Sequence, residues 1–318
     1  MKDIDAKLNG LDLFGEPVAR NVSGPVAEKF YFPPFTFLDA RAGEWQNRKR
    51  AWIDMGLKSE QGRDVKVYTA GLINRYRATK DKEEGEEATG ADTGISIFDP
   101  TLCECMYRWF CQPGGQVVDP FAGGSVRGIV AGVLGLRYWG CDLRAEQVAS
   151  NVAQAAAIAP EVPPVWVCGD STTSLAAAPA ADFVFSCPPY GDLERYSDDP
   201  ADLSTMSHEG FLAAYRTIIA EAIKRLKDDR FACFVVGDYR DKHGHYTDFV
   251  SQTIAAFRAA GAALYNEAIL ATSVGSARLR VSRQFAAGRK LAKTHQNILI
   301  FCKGDWRRAA DAIAERQA

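Results

Sequence analysis

Two short runs hold the side chains best suited to chemistry. Ser186-Cys187-Pro188-Pro189-Tyr190 ends an apolar, strand-like stretch in a Pro-Pro-aromatic corner. A thiol such as Cys187 is a weak hydrogen-bond partner, but as a thiolate it is a nucleophile. Tyr190 offers a ring face on which a flat group can stack. Upstream, Val117-Val118-Asp119-Pro120-Phe121-Ala122-Gly123-Gly124-Ser125 passes from an apolar strand through a Gly-rich turn toward a helix. Gly123 and Gly124 let a ligand approach the backbone with no Cβ in the way. Asp119 stands at the start of that turn, where a carboxylate suits an ammonium group. Asp142 and Asp170 end two further apolar stretches, placed for ribose hydroxyls and an adenine amino group respectively. Each has a plain alternative: a tight turn for the glycines, helix capping for Asp142, core packing for Cys187.

The elements that must position these groups alternate from Ile95 onward. The pattern predicts helix 100–111, strand 116–119, helix 125–135, strand 137–141, helix 145–157 and strand 164–168. Strand 182–186, helix 208–227, strand 231–236, helix 247–260, strand 263–271 and strand 297–302 follow, with a basic insertion at 273–295. This order predicts an α/β fold with a doubly wound, mostly parallel sheet. Ligands of such sheets bind beyond the carboxyl ends of the strands, where all four groups above fall. Residues 1–94 read as an N-terminal extension, with a disordered loop near 80–94 that is rich in Glu, Lys, Gly and Thr. Residues 95–304 read as the main domain and 305–318 as a tail.

A nicotinamide cofactor is disfavoured, because the turn is Asp-Pro-Phe-Ala-Gly-Gly-Ser rather than Gly-x-Gly-x-x-Gly and the Pro-Pro-Tyr corner has no role in hydride transfer. The joint spacing of turn, Asp142 and Asp170 points instead to S-adenosylmethionine.

The turn and the Pro-Pro-Tyr corner resemble motifs I and IV of the amino-methyltransferases that act on N4 of cytosine or N6 of adenine in DNA. Phe98-Asp99-Pro100 resembles motif X, which precedes motif I and closes over the methionine end. Thr294 to Phe301 resembles the last strand of the same group, and residues 31–63 resemble a segment found ahead of phage and bacterial methylase domains. The resemblance implies a Rossmann-like class I methyltransferase fold with an antiparallel last strand. It implies cofactor contacts from Phe98, Asp99, Asp119, Phe121, Ala122, Gly123, Gly124, Ser125, Asp142 and Asp170. The chain departs from the family at Cys187, where Asp, Asn or Ser is usual.

Three readings of Cys187 stay open. In one, the carbonyls of Cys187 and Pro188 hold a base amino group, helped by Ser186 or Asp192, with Pro189 in the corner and Tyr190 stacked on an extruded base. In another, the Cys187 thiolate adds to C6 of cytosine, with Glu194 or Asp238 hydrogen-bonding N3. In the last, Cys187 packs in a domain that binds DNA without chemistry. Cytosine is the favoured target. Adenine at N6 and guanine in RNA are the alternatives.

From Ala268 to Lys303 there is no acidic residue, while Arg278, Arg280, Arg283, Arg289, Lys290 and Lys293 supply positive charge. Such a segment suits phosphate contact with double-stranded DNA, and Gln284 and Phe285 suit base reading or wedging. Its Gly and Ser content suggests a loop. Arg48-Lys49-Arg50, beside Trp45 and Trp52, offers a second phosphate contact or an amphipathic surface helix. The 318 residues carry a net charge of only −2, so a nucleic-acid site must be local. Eight cysteines without a disulfide framework suggest a reducing compartment, the cytoplasm of a bacterial or phage-infected cell. No apolar run is long enough to span a bilayer. Cys103, Cys105 and Cys111 lack a second ligand pair, so no metal is expected, and a homodimer is left open.

Overall fold

The computed structural model describes residues 30–58, 98–190, 199–272, 274 and 277–314, with the side chains of 277–280 excepted. The loop expected at 80–94 and Glu194 lie outside the described residues.

The strand and helix patterns assemble around one sheet. In chain order the elements are β1 (Phe37–Asp39), α1 (Gly43–Asp54), α2 (Pro100–Phe110), β2 (Gln116–Asp119), α3 (Val126–Val133), β3 (Arg137–Asp142), α4 (Ala145–Ile158) and β4 (Val165–Cys168). Then follow β5 (Ala181–Ser186), α5 (His208–Arg225), β6 (Leu226–Val236), α6 (Phe249–Ala259), β7 (Ala263–Ala271), α7 (Ala277–Gly288), β8 (His295–Lys303) and α8 (Trp306–Ala314). The eight strands are ordered β1-β7-β8-β6-β5-β2-β3-β4. All neighbours are parallel except that β8 runs antiparallel to both β6 and β7. The fold is therefore the doubly wound α/β sheet with an antiparallel last strand that the sequence predicts. The chain runs outward from β2 to β4, then returns to β5 beside β2. The carboxyl ends of β2 and β5 thus flank the point where the winding reverses, the usual site of a ligand crevice.

Side-chain alternation divides the core between the two faces of the sheet. Val117, Phe183, Phe185, Cys233 and Val235 face one layer with α1, α2 and α3. Val118, Val184, Ala232, Phe234 and Val236 face the other with α5 and α6. Cys103, Cys105 and Cys111 are buried in the first layer. There they act as small hydrophobes, and burial pushes the Cys103 thiol well above its ordinary value. Among the described residues no His, Cys, Asp and Glu group could hold a metal, and no helix is long and apolar enough to cross a membrane.

Three local expectations are corrected. Strand β6 begins at Leu226, not 231: Leu226 pairs with Ala181, and a register shift then precedes the Phe183–Phe231 pair, near Asp229 at φ 55°. The basic insertion is no plain loop. Ala277–Gly288 forms α7, since Ala, Leu, Arg and Gln favour helix and Gly288 sits at its end. Arg48 is not free to contact a phosphate. Trp45 and Trp52 are buried, and Arg48 is paired with Glu104 of α2 at 2.7 Å, with side-chain exposures of 3% and 0%. Glu104 also accepts from Trp52 Nε1 at 2.9 Å and Arg108 Nε at 3.0 Å. The Tyr31 ring lies against the Arg48 and Arg108 guanidinium groups, at 4.7 and 4.6 Å. With β1 as the outer strand, residues 30–58 are built into the sheet and its first layer. Of the expected tail, the described part is likewise docked: Ala309 and Ile313 of α8 (Trp306–Ala314) are buried.

Removing one partner of a buried ion pair leaves a charge stranded in low dielectric, at a cost of about 3–5 kcal/mol. Glu104→Gln is therefore expected to lower the unfolding free energy by about that amount in urea titration. Arg50→Ala, on the exposed face of α1, should shift it by less than about 0.5 kcal/mol.

Candidate active site at the switch point of the sheet

The carboxyl end of β2 is cross-braced by its neighbours. Asp119 is fully buried. Its Oδ1 accepts from Ser186 Oγ at 2.5 Å and Phe121 N at 3.1 Å. Its Oδ2 accepts from Arg127 Nε at 2.6 Å and Tyr138 Oη at 2.7 Å. A carboxylate has about four lone-pair sites, so these four donors fill it. This corrects the expectation that Asp119 holds the ammonium of a ligand. In a dry interior a carboxylate takes the nearest cation, and that cation is Arg127, the second residue of α3. Burial opposes the Arg127 charge, but Asp119, then Tyr138 and Cys187, outweigh it and raise its pKa. The Arg127 guanidinium also donates to the carbonyls of Phe121 and Ala122 and lies 4.5 Å from the Phe98 ring centroid.

Other expected ligands are likewise committed to the protein. Ser186 is buried and bonded to Asp119, and it accepts from Phe121 N at 3.2 Å. It braces the strand ends instead of holding a substrate amino group. The Phe121 ring packs against Tyr215 and Phe234. Ala122 is buried, its N–H donating to Cys141 O. Ser125 is buried on Gln154. Asp99 caps α2 through Thr101 N and Leu102 N, and its second oxygen accepts from Trp45 Nε1 and meets Lys49. Those four donors correct its cofactor role to one of holding α1 on α2.

What stays presentable at the rim is a smaller set. Gly123 has φ +49°, a conformation that favours glycine, and Gly123 and Gly124 are half-buried. The Gly123 N–H donates to Asp142 Oδ2 at 2.9 Å, and Arg144 N donates to Oδ1 at 3.0 Å. Each Asp142 oxygen thereby keeps acceptor capacity for a hydroxyl. Burial pushes the Asp142 carboxyl up to about 6 against its two backbone donors. Asp170 caps the helical turn Ser171–Ser174 through Thr172 N at 2.8 Å.

The second run lies beside this turn. Cys187 is half-buried, with Sγ 4.0 Å from Tyr190 Oη. Pro188 is buried, and Pro189 and Tyr190 are half-buried. Tyr190 Oη accepts from Gln296 Nε2 at 2.9 Å, and the ring meets Phe249 edge-on at 6.1 Å. Asp238, at the end of β6, accepts from Val250 N at 3.3 Å. Burial lowers the Lys293 pKa, and Asp238 opposes that shift. Arg283, Arg289, Lys290 and Lys293 are exposed, and the Arg289 guanidinium lies 5.2 Å from the centroid of the exposed Phe285 ring. Arg278 and Arg280 belong to α7, with side chains outside the described set. Sequence reasoning missed Arg127, Tyr138 and Gln296. Arg127 carried a signal, as the lone cation in an apolar helix. Tyr138 and Gln296 carried none.

No protein-family model and no curated protein matches the chain. Among solved structures, TrmN from Thermus thermophilus aligns at 15% identity and TM-score 0.45 over 66% of this chain, which spans about half (51%) of that one. Magnesium protoporphyrin IX methyltransferase from Synechocystis PCC 6803 aligns at 12% and 0.44 over 74% of this chain and 96% of that one. Precorrin-6y C5,15-methyltransferase from Geobacter metallireducens aligns at 13% and 0.43 over 68% and 94%. Likeness at this level assigns neither substrate nor residue roles, which rest on the geometry above.

Asp142 binds its proton more tightly in the folded chain than in the unfolded one, where a carboxyl titrates near ~3.9. Stability should therefore fall as pH rises between about 4 and 6 on its account. Melting curves across that window are expected to differ in slope between the native chain and Asp142→Asn, the variant lacking this component.

Proposed function

We propose that the protein is an S-adenosylmethionine-dependent methyltransferase acting on a base of double-stranded DNA, with cytosine as the favoured target. The observation that carries the reading is the convergence at one rim of the Gly123-Gly124 turn, the Asp142 carboxylate and the Cys187-Pro188-Pro189-Tyr190 corner. The residues fit that cofactor. Asp142 has the acceptor capacity for two ribose hydroxyls, the glycines leave room for the methionine backbone, and Asp170 stands at the next strand end for the adenine. Asp119 contributes indirectly, by holding the turn in shape. When bound, the cofactor supplies a methyl group on a sulfonium.

The corner acts on the base. Tyr190, steadied by Gln296 and Phe249, gives a face for an unstacked base. The backbone carbonyls of Cys187 and Pro188 accept from its amino group, which turns the nitrogen lone pair toward the methyl. Arg283, Arg289, Lys290 and Lys293 contact phosphates. The half-buried Cys187 side chain, with Tyr190 Oη 4.0 Å from Sγ, favours a second reading, methylation at C5 with Cys187 as the nucleophile. There Sγ bonds to C6, C5 takes the methyl, and the thiolate departs as the C5 proton is removed.

Nucleoside digestion of duplex DNA incubated with the protein and cofactor separates these readings. The amino reading expects N4-methylcytosine, with Cys187→Ser retaining activity. The thiolate reading expects 5-methylcytosine and loss of activity by a factor of about 10³ or more in Cys187→Ser. Cofactor binding without transfer to any base would leave a silent DNA-binding domain. By calorimetry, Asp142→Ala should weaken cofactor binding about tenfold or more, and binding to the native chain should weaken as pH falls below about 6, where Asp142 takes up its proton.

A further inference from the structure

A second set of residues, outside the basic insertion, forms a finger beside the reactive corner. Between β6 and α6 the chain makes a hairpin closed by an antiparallel bridge from Arg240 to Tyr246. Thr247 N donates to Tyr239 O at 2.9 Å and Asp241 N to His245 O at 2.8 Å. Gly244 turns the tip at φ +88°, and the Asp241 carboxylate accepts from His243 N and His245 N, both at 2.9 Å. The acid at the tip is thus engaged with its own backbone, while Lys242, His243 and His245 are exposed. The finger is rooted by Tyr239 and Phe249, whose rings lie 5.8 Å apart. Phe249 is the ring that also touches Tyr190.

Cations of the insertion lie along this finger. A Cβ added at Gly244 would come within 2.8 Å of Lys290 Nζ, and one at Gly237 within 3.3 Å of Lys293 Cε. Tyr246 is 47% exposed. Its ring has the Arg240 guanidinium at 4.1 Å and the Lys293 ammonium at 5.9 Å. An exposed aromatic ring between cations, at the edge of a rim with further lysines, is the arrangement that grips a polyanion carrying flat rings.

We propose that the Arg240–Tyr246 finger is a DNA-binding element that forms one cationic surface with the 289–293 strap packed along it. Lys242 and Arg240 neutralise phosphates, and Tyr246 stacks on a base beside the one held at Tyr190. The proposal deepens the functional reading above and rests on duplex DNA being the substrate.

Fluorescence anisotropy with a labelled duplex, across a series of salt concentrations, tests it. Lys242→Ala is expected to weaken binding and reduce the slope of log affinity against log salt by about 0.9. Lys242→Glu, at the same exposed position, should weaken it further. Tyr246→Ala should lower affinity about tenfold at every salt concentration, with Tyr246→Trp retaining it. Calorimetric binding of the cofactor, unchanged in all four variants, reports that the sheet is intact. Unchanged affinity and slope in all the variants, with the native chain binding duplex DNA, would overturn the finger and leave the methyltransferase reading standing. Failure of the native chain to bind duplex DNA, or stronger binding to duplex RNA, would overturn the DNA reading with it.

Discussion

The buried carboxylate at the end of β2 is the constraint on which the rim depends. Four donors from four parts of the chain meet on Asp119: Arg127 of α3, Tyr138 of β3, Ser186 of β5 and the Phe121 amide. Burial makes each of them costly to lose, since an unpaired charge in the interior has no water to replace its partner. The same guanidinium reaches back to the Phe121 and Ala122 carbonyls, so the turn between strand and helix is tied at both ends. Gly123 then takes its left-handed conformation with its amide aimed at Asp142. The turn is braced from below because the acid beneath it faces inward.

Much of this was legible in the sequence, for reasons that differ by element. The strand-turn-helix unit from Val117 to Val133 shows itself by its apolar run, paired glycines and helical spacing. β8 shows itself by a run of five apolar residues, Ile298 to Cys302, after the polar break that ends at Asn297. The direction in which Asp119 faces was not legible from its place before a Gly-rich turn, which fits a ligand or a buried partner equally. Arg127 held the discriminating evidence, since a single cation among Val, Gly, Ile and Ala has to meet an acid. The Arg48 segment misleads in the same way. Arginines next to tryptophans read as a surface for phosphates until Glu104, 56 positions away, is seen to accept from Arg48. Helix α7 was masked by the glycines and serines of the insertion, of which Ser273, Gly275 and Ser276 precede the helical run and Gly288 ends it.

Charge is distributed with the same economy of place. The chain as a whole is close to neutral, at −2, yet the strap from Arg289 to Lys293 and the finger from Arg240 to Tyr246 bring cations to one side of the sheet. A local field of this kind acts over about a Debye length, ~10 Å at moderate salt. It therefore biases how a polyanion lands more than how strongly the whole molecule attracts one.

Because β8 runs against its neighbours, the chain leaves β7 and re-enters at β8 on the same rim, with Ala271 opposite His295. Everything between those two residues is a hairpin insert whose ends are pinned by strand pairing. Its length and side chains can change without moving a single register beneath it. The scaffold is therefore modular: residues 272–294 can be exchanged as a unit above an unaltered sheet.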